Sequence, residues 1–159
     1  MHAASLTRRV SFSATHRYRR PEWDDAKNEE VFGLCALRQY HGHDYTCDVT
    51  VSGPLDETTG MVVDLRDLDR ALRVEVVERF DHHNLNTDVA EFGEGKEIPT
   101  GENLARLIAQ NVQRAIGTGA VVTQVTVAED ATLSATWRSV SEGATSRSVS
   151  ESATWRSPG

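Results

Sequence analysis

Apolar and polar residues alternate with a period of two from Leu6 to His16: Val10, Phe12, Ala14 and His16 fall on one face, and Arg9, Ser11 and Ser13 point the other way. This predicts a first strand. The alternation returns at His43, Tyr45, Cys47, Val49 and Val51, set against Asp44, Thr46, Asp48, Thr50 and Ser52. It predicts a second, half-buried strand that stops at Gly53-Pro54. The period then changes. From about Asp64 to Phe80, the residues Leu65, Leu68, Leu72 and Val76 recur at helical spacing. After Pro99 a second helix opens with Thr100 as its N-cap, carries Leu104, Leu107, Ile108, Val112 and Ala115 toward a core, and stops at Gly117 and Gly119. Val121, Val125, Val127 and Glu129 then share a strand face, and a short last strand is expected from about Thr132 to Trp137. Residues 17–40 lack a clean period and hold Pro21 and Gly33, so a long loop of the kind that often carries function is expected there. Two strands, two helices and two strands in succession favour an α+β sheet with helices on one face over a parallel βαβ sheet.

The chain has 159 residues, which suits one domain. That domain is expected to run over 1–138. Past it the sequence turns Ser-rich, with SATWRS at 134–139 repeated at 152–157 and RSVSE at 138–142 repeated at 147–151. With few apolar residues to offset the entropy of ordering it, the tail at 139–159 is expected to be disordered. The net charge of -7, from 24 acidic and 17 basic residues, disfavours a grip on nucleic-acid phosphates or an anionic membrane surface, and favours a small-molecule partner. Neither a signal peptide nor a bilayer-spanning apolar run is visible, which places the expected location in the cytoplasm. In that reducing compartment Cys35 and Cys47 are expected as free thiols.

The candidate chemistry clusters around the histidines. His41 and His43 are two apart on a strand, so both imidazoles share the face of Tyr45 and Cys47. His16 ends the core-facing set of the first strand, and antiparallel pairing of the two strands could bring all three together. Three neutral imidazoles suit zinc and leave its fourth position open, the catalytic pattern; HGH alone is also compatible with ordinary hydrogen-bonded histidines. Cys35 lies in the loop, where a thiol near a metal or a histidine can ionise, whereas alternation makes Cys47 a core residue. In Asp81-His82-His83 a carboxylate stands beside two imidazoles, which suits either a helix-end role or a proton-moving pair. The DHH string also occurs in metal-dependent phosphoesterases, but the further aspartate clusters those need are missing. Glu129 ends an apolar strand face, where a buried carboxylate needs a partner; a ligand with two adjacent N–H donors, such as an amino-pyrimidine ring, would satisfy both oxygens. Thr100 and Glu102 are further substrate-binding candidates, although the helix dipole alone accounts for an acid in the first turn.

Taken together, FSATHRY, CALRQYHGHDY, GMVVDLRDL, FDHHNLN, PTGENLA and VAED resemble the 6-pyruvoyl-tetrahydropterin synthase and 6-carboxytetrahydropterin synthase family in content and order, over about residues 6–137. The resemblance implies the tunnelling fold, a four-stranded antiparallel sheet with two helices on one face in the order ββααββ, assembled as a homohexamer of two trimers with active sites at subunit interfaces. It implies His16, His41 and His43 as zinc ligands, Cys35 as the catalytic cysteine, Asp81 and His82 as its activating pair from a neighbouring subunit, and Glu129 as the pterin anchor. The shared substrate is 7,8-dihydroneopterin triphosphate. The RYRRPEWDDAKNEEVFG segment resembles members that make 6-carboxytetrahydropterin with loss of acetaldehyde and triphosphate, on the route to queuosine, so this product is expected; the alternative is the 6-pyruvoyl product. His83, Asp44 and Gly101 depart from common family residues, and Gly101 removes a hydroxyl beside the substrate. A reading from another class is a non-catalytic, zinc-stabilised binding module in which Cys35 is incidental.

Overall fold

The computed structural model describes residues 3–140. The repetitive tail, apart from its first residues, therefore lies outside the described residues. Strand β1 (Ala3–His16) and strand β2 (His41–Pro54) pair antiparallel over their whole length, from Ala3 opposite Pro54 to His16 opposite His41. Strand β4 (Val121–Ala128) pairs with the other edge of β2, and β5 (Ser134–Arg138) with β4. A two-residue strand, β3 (His83–Asn84), runs parallel to β1 at Ala14 and Thr15. The sheet is thus five-stranded and mixed, in the order β3-β1-β2-β4-β5, and not the expected four-stranded antiparallel one. Two residues carry no readable alternation. What holds them is local: the His82 amide donates to the Ser13 carbonyl at 2.7 Å, and the Ser13 amide donates to Asp81 Oδ1 at 2.8 Å.

Both expected helices form. Helix α2 (Leu65–Leu72) starts on an Asp64 cap and continues through a wider π turn at Arg73–Val77 to a last turn at Glu78–Phe80. Helix α3 (Gly101–Ile116) is capped by Thr100, whose hydroxyl accepts from the Asn103 amide, and ends at Gly117 with φ 74°. An unexpected helix, α1 (Asp25–Phe32), occupies the presumed loop. Its sequence, DAKNEEVF, has no apolar stripe to read. Instead the Asp24 carboxylate caps it, and the fully buried Asn28 side chain shares its two N–H donors among the carbonyls of Arg20, Trp23 and Asp24 while accepting from the Arg20 amide.

The core lies between the helices and one face of the sheet. Phe12, Tyr45, Cys47, Val49, Val125 and Val127 meet Leu68, Leu72, Val76, Phe80, Leu104 and Ile108 there. Burying each large apolar side chain is worth about 1.5–3 kcal/mol relative to exposure. The opposite face is polar and carries an Arg9–Asp48 ion pair and a Thr7–Thr50 hydroxyl pair. One face assignment differs from expectation. Thr50 pairs with Gln124 but Val51 with Val122, so Thr123 is an extra residue in β4. That bulge turns Val122 inward (2% exposed) and Val121 outward (51% exposed), while Val125, Val127 and Glu129 keep the core side. Among the described residues, no helix is long and apolar enough to cross a membrane.

Candidate metal centre and adjoining pocket

The register of β1 and β2 assembles the histidines. His16 and His41 are the last pair of the ladder, and His43 stands opposite Ala14 on the same core-facing side. One nitrogen from each ring lies within 4.8 Å of the others. His16 is fully buried, with Nε2 at 2.9 Å from His41 Nε2 and Nδ1 at 3.0 Å from the Tyr45 hydroxyl. Burial, reinforced by His41 and His43, lowers the His16 pKa to about 4, and burial together with His43 lowers that of His41. These two rings are therefore neutral at pH 7. His43 Nε2 is buried with no hydrogen-bond partner. An unpartnered buried nitrogen facing two neutral imidazoles fits a cation with nitrogen donors, and the Tyr45 contact leaves His16 Nε2 free to be one of them.

Cys35 sits in the tight turn Gly33–Ala36 that follows α1, with Sγ at 3.8 Å from His41 Nε2. Burial, and then the Glu129 charge, raise its pKa, so in a single chain it is a neutral thiol. Cys47 is wholly buried beneath the sheet, where burial pushes its pKa up to about 12 and makes it an inert packing residue.

Glu129 is 8% exposed. The Tyr18 hydroxyl donates to its Oε1 at 3.2 Å, and its Oε2 lies 3.5 Å from His43 Nε2. The carboxylate opens into a cavity of about 260 Å³ that Tyr18, Thr100, Gly101 and Glu102 also line. Thr100 thus both caps α3 and borders the cavity, and Glu102 is an exposed residue of the first helical turn at the cavity wall. Gly101 is there for room: a Cβ on it would stand 3.1 Å from the Ala135 Cβ.

Asp81 and His82 lie elsewhere. They grip the outer edge of β1, His82 Nε2 is 3.7 Å from Asp81 Oδ2, and the His82 side chain is 84% exposed. His82 also holds a φ of 58°, uncommon for a non-glycine residue. Among the described residues, no hydrogen bond joins either one to Cys35. Asp44 is on the polar face, where its Oδ1 accepts from the Ser13 hydroxyl at 2.5 Å, so its departure from the family pattern does not touch the histidine cluster. Tyr18 and Tyr45 belong to the site although the sequence motifs do not single them out. A signal for both exists, because each continues the core-facing alternation of a histidine-bearing strand.

A family model described as 6-pyruvoyl tetrahydropterin synthase matches residues 5–139. The chain belongs to that family. It is 46% identical over 110 residues to the 6-pyruvoyl tetrahydrobiopterin synthase of Drosophila melanogaster, covering 69% of this chain and 64% of that protein, so the match spans slightly less than two thirds of the fly protein's length. It is 39% identical over 116 residues to the Homo sapiens protein of the same name, covering 73% of this chain and 79% of that one. The structure of Caenorhabditis elegans 6-pyruvoyl tetrahydropterin synthase superposes with a TM-score of 0.81 at 32% identity, covering 88% of this chain and 98% of that one. Family membership places the metal-competent histidines, the thiol and the buried carboxylate in an enzyme lineage.

Proposed function

We propose that the chain is a zinc-dependent lyase that eliminates triphosphate from 7,8-dihydroneopterin triphosphate to give 6-pyruvoyl tetrahydropterin. The observation that carries this reading is the convergence, beside one small cavity, of three imidazole nitrogens, a thiol and a buried carboxylate. The names of the relatives support the pyruvoyl product. The 6-carboxy product, favoured by the RYRRPEWDDAKNEEVFG segment, is the second reading.

In this account His16, His41 and His43 would hold zinc, since three nitrogen donors leave a position for substrate. When bound there, zinc polarises the oxygens of the substrate side chain and acidifies the adjacent C–H and O–H groups. Glu129 accepts the two neighbouring N–H donors of the amino-pyrimidine ring, which orients the side chain toward the histidines and Cys35. Cys35 moves protons, and for that it needs a partner, because burial and Glu129 hold it as a thiol. Asp81 and His82 are suited to that task from a neighbouring copy, His82 being exposed at the sheet edge beside a half-buried Asp81, with neither hydrogen-bonded to Cys35 in its own chain. A homohexamer of two trimers would supply such neighbours. Supporting it, β3 pairs with Ala14 and Thr15 of the outer edge of β1 and Asp81 and His82 bond to Ser13, so most of a 14-residue strand edge is open for pairing among the described residues.

Subunit complementation tests the shared site. Cys35→Ala and His82→Ala are each expected to lose turnover while keeping zinc. Dissociated, mixed in equal amounts and reassembled, they should regain about a quarter of wild-type turnover, because random pairing restores that share of sites. Full turnover in Cys35→Ala would remove Cys35 from the mechanism, and no turnover in the zinc-loaded wild type would sink the catalytic reading in favour of a zinc-stabilised binding module.

A further inference from the structure

We propose that Tyr18 is a positioning residue that holds the Glu129 carboxylate oriented for its ligand, a role that rests on the pterin-binding reading of the pocket. Tyr18 touches three parts of the site at once. Its ring packs against His16, with centroids 4.8 Å apart, its amide donates to the Cys35 carbonyl at 2.8 Å, and its hydroxyl donates to Glu129 Oε1 at 3.2 Å.

The hydroxyl matters because of what happens to the other neighbour of Glu129. A buried carboxylate must be compensated by donors. In this structure the side-chain groups facing it are the Tyr18 hydroxyl on Oε1 and His43 Nε2, 3.5 Å from Oε2. A metal held by His43 Nε2 takes the lone pair of that nitrogen, which can then carry no N–H toward Glu129. In the metal-loaded chain Tyr18 is left as the side-chain donor. Burial, strengthened by the Glu129 charge, raises the Tyr18 pKa, so the phenol keeps its proton. Each carboxylate oxygen has two acceptor sites. Tyr18 therefore fixes the rotamer through one site on Oε1, and a second site there and both on Oε2 remain for a ligand with two adjacent N–H groups.

The test uses the full chain loaded with zinc, with neopterin, which lacks the triphosphate, as a fluorescent binding probe. Wild type, Tyr18→Phe, Glu129→Gln and the double variant are compared. Tyr18→Phe keeps the ring contacts and the amide bond, and its zinc content and melting transition check that the site is intact. Expected results are neopterin binding weakened about tenfold in Tyr18→Phe, a similar rise in KM, and kcat within about threefold of wild type. In the Glu129→Gln background the same change should cost less than about twofold, because the hydroxyl acts through that carboxylate. Wild-type affinity in Tyr18→Phe, or a loss that simply adds to that of Glu129→Gln, would overturn the role of Tyr18 alone. If wild type does not bind neopterin, or Glu129→Gln binds it as wild type does, the pterin reading of the pocket fails and the role of Tyr18 falls with it.

Discussion

Replacing Tyr45 by Phe isolates one hydroxyl beneath the histidine cluster. The Tyr45 ring is 1% exposed and stacks on Phe12 at 4.9 Å, and both features survive in Phe, so apolar burial and core volume are nearly unchanged. What is lost is the 3.0 Å contact to Nδ1 of the fully buried His16. A hydrogen bond of this kind is worth about 1 kcal/mol net, and a buried group left without its partner costs about 1–3 kcal/mol. The expected loss of stability is therefore about 1–3 kcal/mol. For the metal the loss is of similar size. Partners that orient a ligating imidazole typically contribute about 10- to 100-fold in affinity, and a loss of at least about tenfold is expected here. Zinc affinity by competition with a chromophoric chelator, together with urea unfolding of the metal-free protein, reads both quantities. Unchanged zinc affinity in a folded Tyr45→Phe protein would refute the idea that this hydroxyl presents His16 Nε2 to a metal.

Other consequences follow from the same geometry. His43→Ala should abolish high-affinity zinc binding yet cost the metal-free fold only about 1 kcal/mol or less, since buried His43 Nε2 makes no hydrogen bond; calorimetry with and without zinc separates the two effects. Asn28→Ala removes the side-chain bonds that tie Arg20, Trp23 and Asp24 together before α1 and should destabilise the fold by about 2–4 kcal/mol in urea titrations. In metal-free protein the pKa of His16 falls from 6.5 to about 4 on folding, so the unfolded chain binds the proton more tightly. That contribution, on the order of 3 kcal/mol, is complete above pH 6.5 and disappears as the pH falls through about 4. Urea midpoints of chelator-treated protein at pH 7.5 and 4.5 should differ accordingly, whereas a midpoint independent of pH would show that His16 is not buried and neutral.

Much of this architecture is readable where the chain has a period. β1 and β2 alternate over long stretches, and that alternation puts His16 on the core-facing side of β1 and His41 and His43 on one side of β2. α2 and α3 have both an apolar stripe and cap residues. The parts that escape have neither. β3 is two residues long and exists because Asp81 and His82 bond to Ser13; α1 is held by Asp24 and Asn28 without an amphipathic pattern; the β4 bulge moves Val121 and Val122 by one residue, which alternation cannot anticipate. Within the site, the closeness of Glu129 to Tyr18 and His43 depends on strands distant in sequence, so a candidate carboxylate is legible but its partners are not. Gly101 reads as the loss of a hydroxyl, whereas its contact with Ala135 shows what its small size accommodates.

The proposed reaction is an elimination of triphosphate from a pterin substrate. Its most direct test is to incubate the zinc-loaded chain with 7,8-dihydroneopterin triphosphate and identify every product by mass spectrometry, with acetaldehyde assayed in parallel. The expected products are inorganic triphosphate and 6-pyruvoyl tetrahydropterin without acetaldehyde. Acetaldehyde together with a 6-carboxy pterin would contradict the assigned product, and unchanged substrate would contradict the catalytic account altogether.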